Sequence, residues 1–299
     1  MGKILNVLIV SCLISAAFSV PCAFAAMPQF QNEIEEGGEF IQRHTKEGEV
    51  FIQKQTWQLG GEASYIKYEE PSLSMKEDGV MYGAAGSYSY RDWANPDVGN
   101  VMLKGEGKFS YGQVDYTGSG TLDNLDDYMV EARGIGGYDF YAGEAGTMTP
   151  YFGFGYRYLY DDLRGITSTG AAGYRRESNY FYSPVGLTVL MDFKNNWSID
   201  LTGEYDIFWK GIQKSRLSDA NPSFSDLEND QNDGYGVRGA IKISKSGEKF
   251  DLVFEPFIRY WNIKQSELSS VTFSGTIVGV GYEPANHSTE YGIRVTARF

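Results

Sequence analysis

Between Trp197 and Lys210 the chain reads WSIDLTGEYDIFWK, with apolar and polar side chains alternating at a period of two. Trp197, Ile199, Leu201, Gly203, Tyr205, Ile207 and Trp209 share one face of an extended strand, and none of them is charged. Ser198, Asp200, Thr202, Glu204, Asp206 and Lys210 fall on the other face. A strand of a soluble domain runs to about five or six residues, and this one is more than twice that. A tilted strand needs about nine to eleven residues to cross a bilayer's hydrocarbon core, so the length predicts a membrane-spanning strand.

The pattern recurs along the chain. Alternating stretches cover 57–65, 80–91, 103–111, 128–140, 152–160, 181–191, 235–243, 250–260 and 289–299, which with 197–210 makes ten. In lipid every backbone N–H and C=O must be paired within the protein, and strands achieve this only in a sheet without edges. The expected fold is therefore all-β, a transmembrane antiparallel up-and-down β-barrel of about ten strands, with eight or twelve also compatible with the pattern. Trp57, Trp197 and Trp209 stand at strand ends, where the aromatic girdles of such a barrel lie. Connections at 142–146, 194–196 and 245–249 read as tight turns, and those at 161–178, 211–233 and 264–288 as long polar loops.

The first residues, MGKILNVLIVSCLISAAFSVPCAFAA, combine Lys3, an apolar run and the small-x-small triplet Ala23-Phe24-Ala25. They predict a signal peptide over 1–25, and its apolar run is too short to span a bilayer. Residues 26–55 carry little periodicity and are expected to be a periplasmic leader, partly helical or disordered, ahead of a barrel over 56–299. Both cysteines, Cys12 and Cys22, lie in the signal, which leaves no disulfide, cysteine nucleophile or cysteine metal site in the mature chain. A net charge of −13 argues against nucleic-acid binding. The 22 Tyr, 18 Phe and 36 Gly suit strands that face lipid rather than a protein core.

The last strand carries a resemblance. Tyr291, Ile293, Val295, Ala297 and Phe299 alternate up to a terminal phenylalanine, and this resembles the C-terminal signature of bacterial outer-membrane β-barrel proteins. The resemblance implies residence in the cell outer membrane, contact with its lipid and lipopolysaccharide, and recognition of the last strand by the barrel-assembly machinery. Closing the sheet would pair that strand with Trp57–Tyr65. A ten-strand chain of this size further resembles the omptin outer-membrane proteases, whose rim carries an aspartate pair facing an aspartate and histidine pair. Asp161 and Asp162 fit the first pair, and no histidine lies in 211–233 to fit the second.

If the apolar faces meet lipid, Asp200, Glu204, Asp206, Arg238, Lys242, Glu255, Arg259, Arg294 and Arg298 meet the lumen together with Asp251 and Glu290. In a barrel this narrow they are expected to form an ion-pair network that supports the wall. Only His44 and His287 could serve as the usual proton shuttle. His287, Ser288 and Glu290 have the residue types of the lipid A deacylases, but neighbours one apart on a strand point to opposite faces. Asp226, Glu228, Asp230 and Asp233 supply oxygen ligands in a spacing that misses the calcium loop of an EF-hand. The reading is an outer-membrane barrel with no catalytic site, cofactor or metal, acting structurally or through its loops on an external ligand the sequence does not name. A narrow porin is the alternative, and an omptin-like or lipid A-modifying enzyme the second.

Overall fold

The structure of the protein, a computed structural model, describes residues 36–37, 40–45, 48–95, 99–141, 146–193 and 195–299. The predicted signal peptide, its cleavage after Ala25 and the turn at 142–145 lie outside the described residues.

Ten antiparallel strands close on themselves: β1 Gln55–Glu70, β2 Met75–Asn95, β3 Gly99–Gly118, β4 Gly120–Tyr141, β5 Gly146–Asp162, β6 Arg175–Phe193, β7 Trp197–Ser215, β8 Gly234–Lys245, β9 Asp251–Ile263 and β10 Asn286–Arg298. Each alternating stretch of the sequence falls on one of them, apart from the end residues Phe250 and Phe299, and each strand pairs with its sequence neighbours. The seam is β1 against β10, in register from Gln58↔Arg298 to Glu69↔His287. Trp57 and Phe299 complete it by exchanging both backbone hydrogen bonds, at 3.0 and 2.8 Å. At two seam positions only glycine fits. A Cβ on Gly60 would stand 2.1 Å from the Val295 carbonyl oxygen, and one on Gly292 would stand 2.3 Å from that of Ala63.

The outer wall carries the predicted apolar faces. Trp57, Trp197 and Trp209 are 54%, 46% and 53% exposed, and Tyr291, Ile293, Val295 and Phe299 share that wall. On β7 the period breaks once. The register against β6 shifts between Phe208 and Lys210, so Trp209 bulges outward against Phe154 while Phe208 and then Gln213 and Ser215 are buried. Lys210, on the polar face of the period, is carried to the rim, where it binds Asp230 at 2.8 Å.

The described residues among 36–53 are strand rather than helix. Glu36–Gly37, Phe40–Thr45 and Gly48–Gln53 pair in a small three-stranded sheet ahead of β1.

The two ends of the barrel differ. At one, the turn end, β6 passes to β7 and β8 to β9 beside a cavity mouth near Asn196 and Ser246. At the other, the loop end, 163–174, 216–233 and 264–285 stand above the rim. There Leu227–Gln231 extends β7, and Ser269–Phe273 with Thr276–Gly281 forms a hairpin. The hairpin is held to 223–228 by Ser225 N to Thr272 O at 3.0 Å, Ser274 N to Ser223 O at 2.7 Å and Ser269 Oγ to Glu228 O at 2.8 Å. Arg175 on β6 ties down the helical turn Leu217–Ala220 through Asp219 at 2.7 Å.

Candidate functional site: the barrel interior

The lumen holds three zones along the barrel axis. Nearest the turn end is a polar cavity of about 1030 Å³, lined among others by Gln53, Asp192, Asn195, Asp200, Asp251 and Arg298. Its inner limit is a layer of ion pairs formed by Glu131, Glu204, Arg133, Arg238, Arg259 and Arg294.

That layer consists of two groups of ion pairs. Arg238 on β8 gives Nε to Asp206 at 2.6 Å and Nη1 to Glu131 at 3.0 Å, with Nη2 on the Tyr182 hydroxyl at 2.9 Å. Arg133 grips Glu204 with two donors, at 2.6 and 3.0 Å, and Tyr151 donates to the same carboxylate at 2.7 Å. On the other side of the lumen Glu62 accepts from Arg294 at 2.6 Å, and Glu290 accepts from Lys108 and Arg259, both at 3.0 Å. Glu62, Lys108, Glu131, Glu204, Asp206, Arg259 and Glu290 are buried, and buried charges persist only where they are paired and hydrogen-bonded; Asp206 Oδ1 and Arg133 Nε are the buried atoms of this layer left without a partner.

The predicted network residues fall in or beside this layer, with differences. Glu204, Asp206, Arg238, Arg259 and Arg294 belong to it. Lys242 reaches Glu255 at 3.7 Å, and Arg298 binds Asp251 at 2.7 Å nearer the turn end. Asp200 lines the cavity and its Oδ1 has no hydrogen-bond partner. Glu62, Lys108 and Glu106 are further members that the sequence pattern did not single out. Their signal was present in the alternation of β1 and β3, whose inward faces carry the same mixture of signs.

Toward the loop end the lumen becomes apolar. Trp261, Tyr182, Tyr180 and Phe208 form one cluster, and Ile66, Met81, Val114, Leu125, Met129 and Leu163 another. Arg157 lies between them, its guanidinium carbon 5.5 Å from the Trp261 ring centroid and its Nε 3.2 Å from the Met129 sulfur. None of these residues lines the turn-end cavity.

The third zone is acidic. Arg176 at the head of β6 is bonded to Glu70 and Glu283, and Tyr68 donates to both carboxylates at 3.0 and 3.1 Å. Glu283 belongs to the loop rather than a strand, and burial pushes its carboxyl up to about 7 despite the Arg176 charge beside it.

The catalytic arrangements suggested by residue type are not assembled. Asp161 points into this acidic zone, while Asp162 is bound by Arg164 at 2.6 Å. His287 lies on the outer wall with its Nε2 3.0 Å from Glu69, whereas Ser288 and Glu290 are buried on the opposite face. Asp226 and Asp230 are engaged in loop contacts, Asp226 with Ser218 and Arg216, and Asp230 with Lys210.

No protein-family profile matches the chain, and no curated protein matches it. Solved structures do. The outer membrane protease OmpT from Escherichia coli superposes with a TM-score of 0.58 at 8% identity, covering 82% of this chain and 95% of that one. A Pseudomonas aeruginosa FadL homologue matches with a TM-score of 0.28 at 9% identity, over 83% and 91% of the two chains. The fold is that of the bacterial outer-membrane β-barrels. At such identities the likeness is one of fold alone.

Proposed function

We propose that this is an outer-membrane barrel closed to solute flow, which works by presenting its loop end as a contact surface. The observation that carries the reading is the filled cross-section. The turn-end cavity stops at the Glu131, Arg238 and Arg259 layer, and behind that layer stand Tyr182 and Trp261, 0% and 2% exposed. Paired charges backed by close-packed aromatic rings leave no wet column from end to end, which counts against the narrow porin.

The loop end points outward in this reading, supported by the asymmetry of long and short connections. The apolar wall meets lipid and the lipopolysaccharide leaflet, and β10 serves the barrel-assembly machinery. The contact surface is the loop sheet, where Ile277, Val278 and Val280 are exposed on an edge strand with no charged residue between Ser269 and Tyr282. An enzymatic role lacks support from His287, since its ring is on the opposite side of the strand from Ser288 and Glu290.

Purified protein in a planar bilayer should leave the baseline flat, and sustained unitary conductance would overturn the closed barrel. Cells displaying the protein should partition into hexadecane more than cells displaying an Ile277→Ser, Val278→Ser, Val280→Ser variant. Equal partition would remove the hairpin from the proposed surface.

A further inference from the structure

The acidic zone is not balanced as the mid-lumen layer is. Glu77 on β2, Asp127 on β4 and Asp161 on β5 turn their carboxylates toward one another, each offering an oxygen within 4.8 Å of the others. Asp127 and Asp161 are direct cross-strand partners, a like-charge pairing that a sheet disfavours. The nearest cation is Arg176, whose Nη1 stands 3.9 Å from both Glu77 and Asp161, beyond hydrogen-bond reach, while its Nη2 is taken by Glu70 and Glu283. Among the described residues no ion pair reaches Asp127.

A separate observation concerns what these groups lack. Glu77 is 5% exposed, and its Oε1 is buried without a hydrogen-bond partner. Asp127 Oδ1 and Asp161 Oδ1 are likewise buried and without partners. Ile66, Met81, Val114, Leu125 and Leu163 form an apolar cluster inside the same loop-end half of the barrel, so water is a poor substitute there. Three clustered carboxylates, each with a buried oxygen that has no hydrogen-bond partner, cost several kcal/mol unless something positive stands between them.

We propose that Glu77, Asp127 and Asp161 hold one calcium ion. The ligand set is all oxygen, which selects a hard cation over zinc or copper. Oxygens on a common shell at about 2.3–2.6 Å from calcium can lie up to about 5 Å apart, which accommodates this cluster, whereas the shell at about 2.0–2.1 Å around magnesium is tighter and demands octahedral geometry. Asp127 and Asp161 are only partly buried, which gives the ion a way in. Once bound, the ion ties β2, β4 and β5 together beneath the loops.

The full-length protein, folded in detergent and stripped with EDTA, is titrated with calcium chloride by calorimetry, and its thermal unfolding is followed with and without the ion. The expected result is one site with a dissociation constant at or below about 1 mM, and a calcium-dependent rise in the unfolding midpoint. Asp127→Asn and Glu77→Gln should each weaken binding at least tenfold and abolish the rise. In EDTA, Asp127→Asn should be no less stable than the wild type, because it removes a repulsion; this separates loss of the site from loss of the fold. Asp226→Asn with Asp230→Asn should bind as the wild type does. Absence of saturable binding, undiminished binding by Asp127→Asn, or a response to magnesium chloride but not to calcium would each overturn the proposal.

Discussion

Glu283 shows how a single residue can set the behaviour of a loop. Its carboxyl is buried against Glu70, Tyr68 and Arg176, and its pKa of about 7 lies above the ordinary glutamate value near 4.5. For a carboxylic acid raised on folding the sign is unfavourable to the ionised form. Below about pH 4.5 the group is neutral in both states and contributes nothing to pH dependence. Between there and about pH 7 the unfolded chain ionises while the folded one does not, so stability falls with rising pH and levels off above it. The full effect is on the order of 3 kcal/mol. Hydrogen exchange of 264–285, corrected for intrinsic rates, should therefore be slower at pH 5 than at pH 8. Glu283→Gln should make the two alike, and a pH dependence that survives the substitution would assign it to another group.

At the scale of the element, β10 and β7 make the clearest contrast. The pairing of β10 with Trp57–Tyr65 follows from its alternation, because the apolar set of one strand must continue the apolar set of the other. The seam also needs its inner glycines. Gly292→Val brings a side chain against the Ala63 carbonyl and Ser64 Cα, and should cost about 1–3 kcal/mol as an overpacked site. Gly203→Val on the lipid face of β7 meets nothing within 4 Å and should be close to neutral. The heat-modifiable gel shift of the folded barrel, followed against urea, compares the two, and equal stability would show that the seam can open to admit a side chain. The bulge at Trp209 was not legible in the same way. Phe208 already falls on the polar face of the period, but a lone exception in a long alternation does not say where the register gives.

For the molecule as a whole, what could be read beforehand was whatever depends on one strand and its immediate neighbours. Ten strands, their facing and the charged lumen all follow from a period of two under the rule that lipid admits no unpaired backbone. The division of the lumen into a polar cavity bounded by paired charges, an apolar stretch and an acidic chamber does not. Glu77, Asp127 and Asp161 meet only because the register carries them to one height, and Glu283 joins Arg176 only because a loop folds back over the rim. The residues were visible, and their heights along the axis were not.

The seam has a kinetic side as well. Gln58 and Thr296, bonded across it at 2.5 Å, are 238 residues apart in sequence. Every other wall contact joins strands that follow one another, so the sheet can grow by successive hairpins while the chain entropy of closing the ring is met only at the last step. Until then β1 and β10 are two open edges, each with an apolar face and a ladder of unsatisfied amides. The slowest stage of assembly should be the docking of these two strands. A catalyst of folding would gain most by holding one of them until the other arrives.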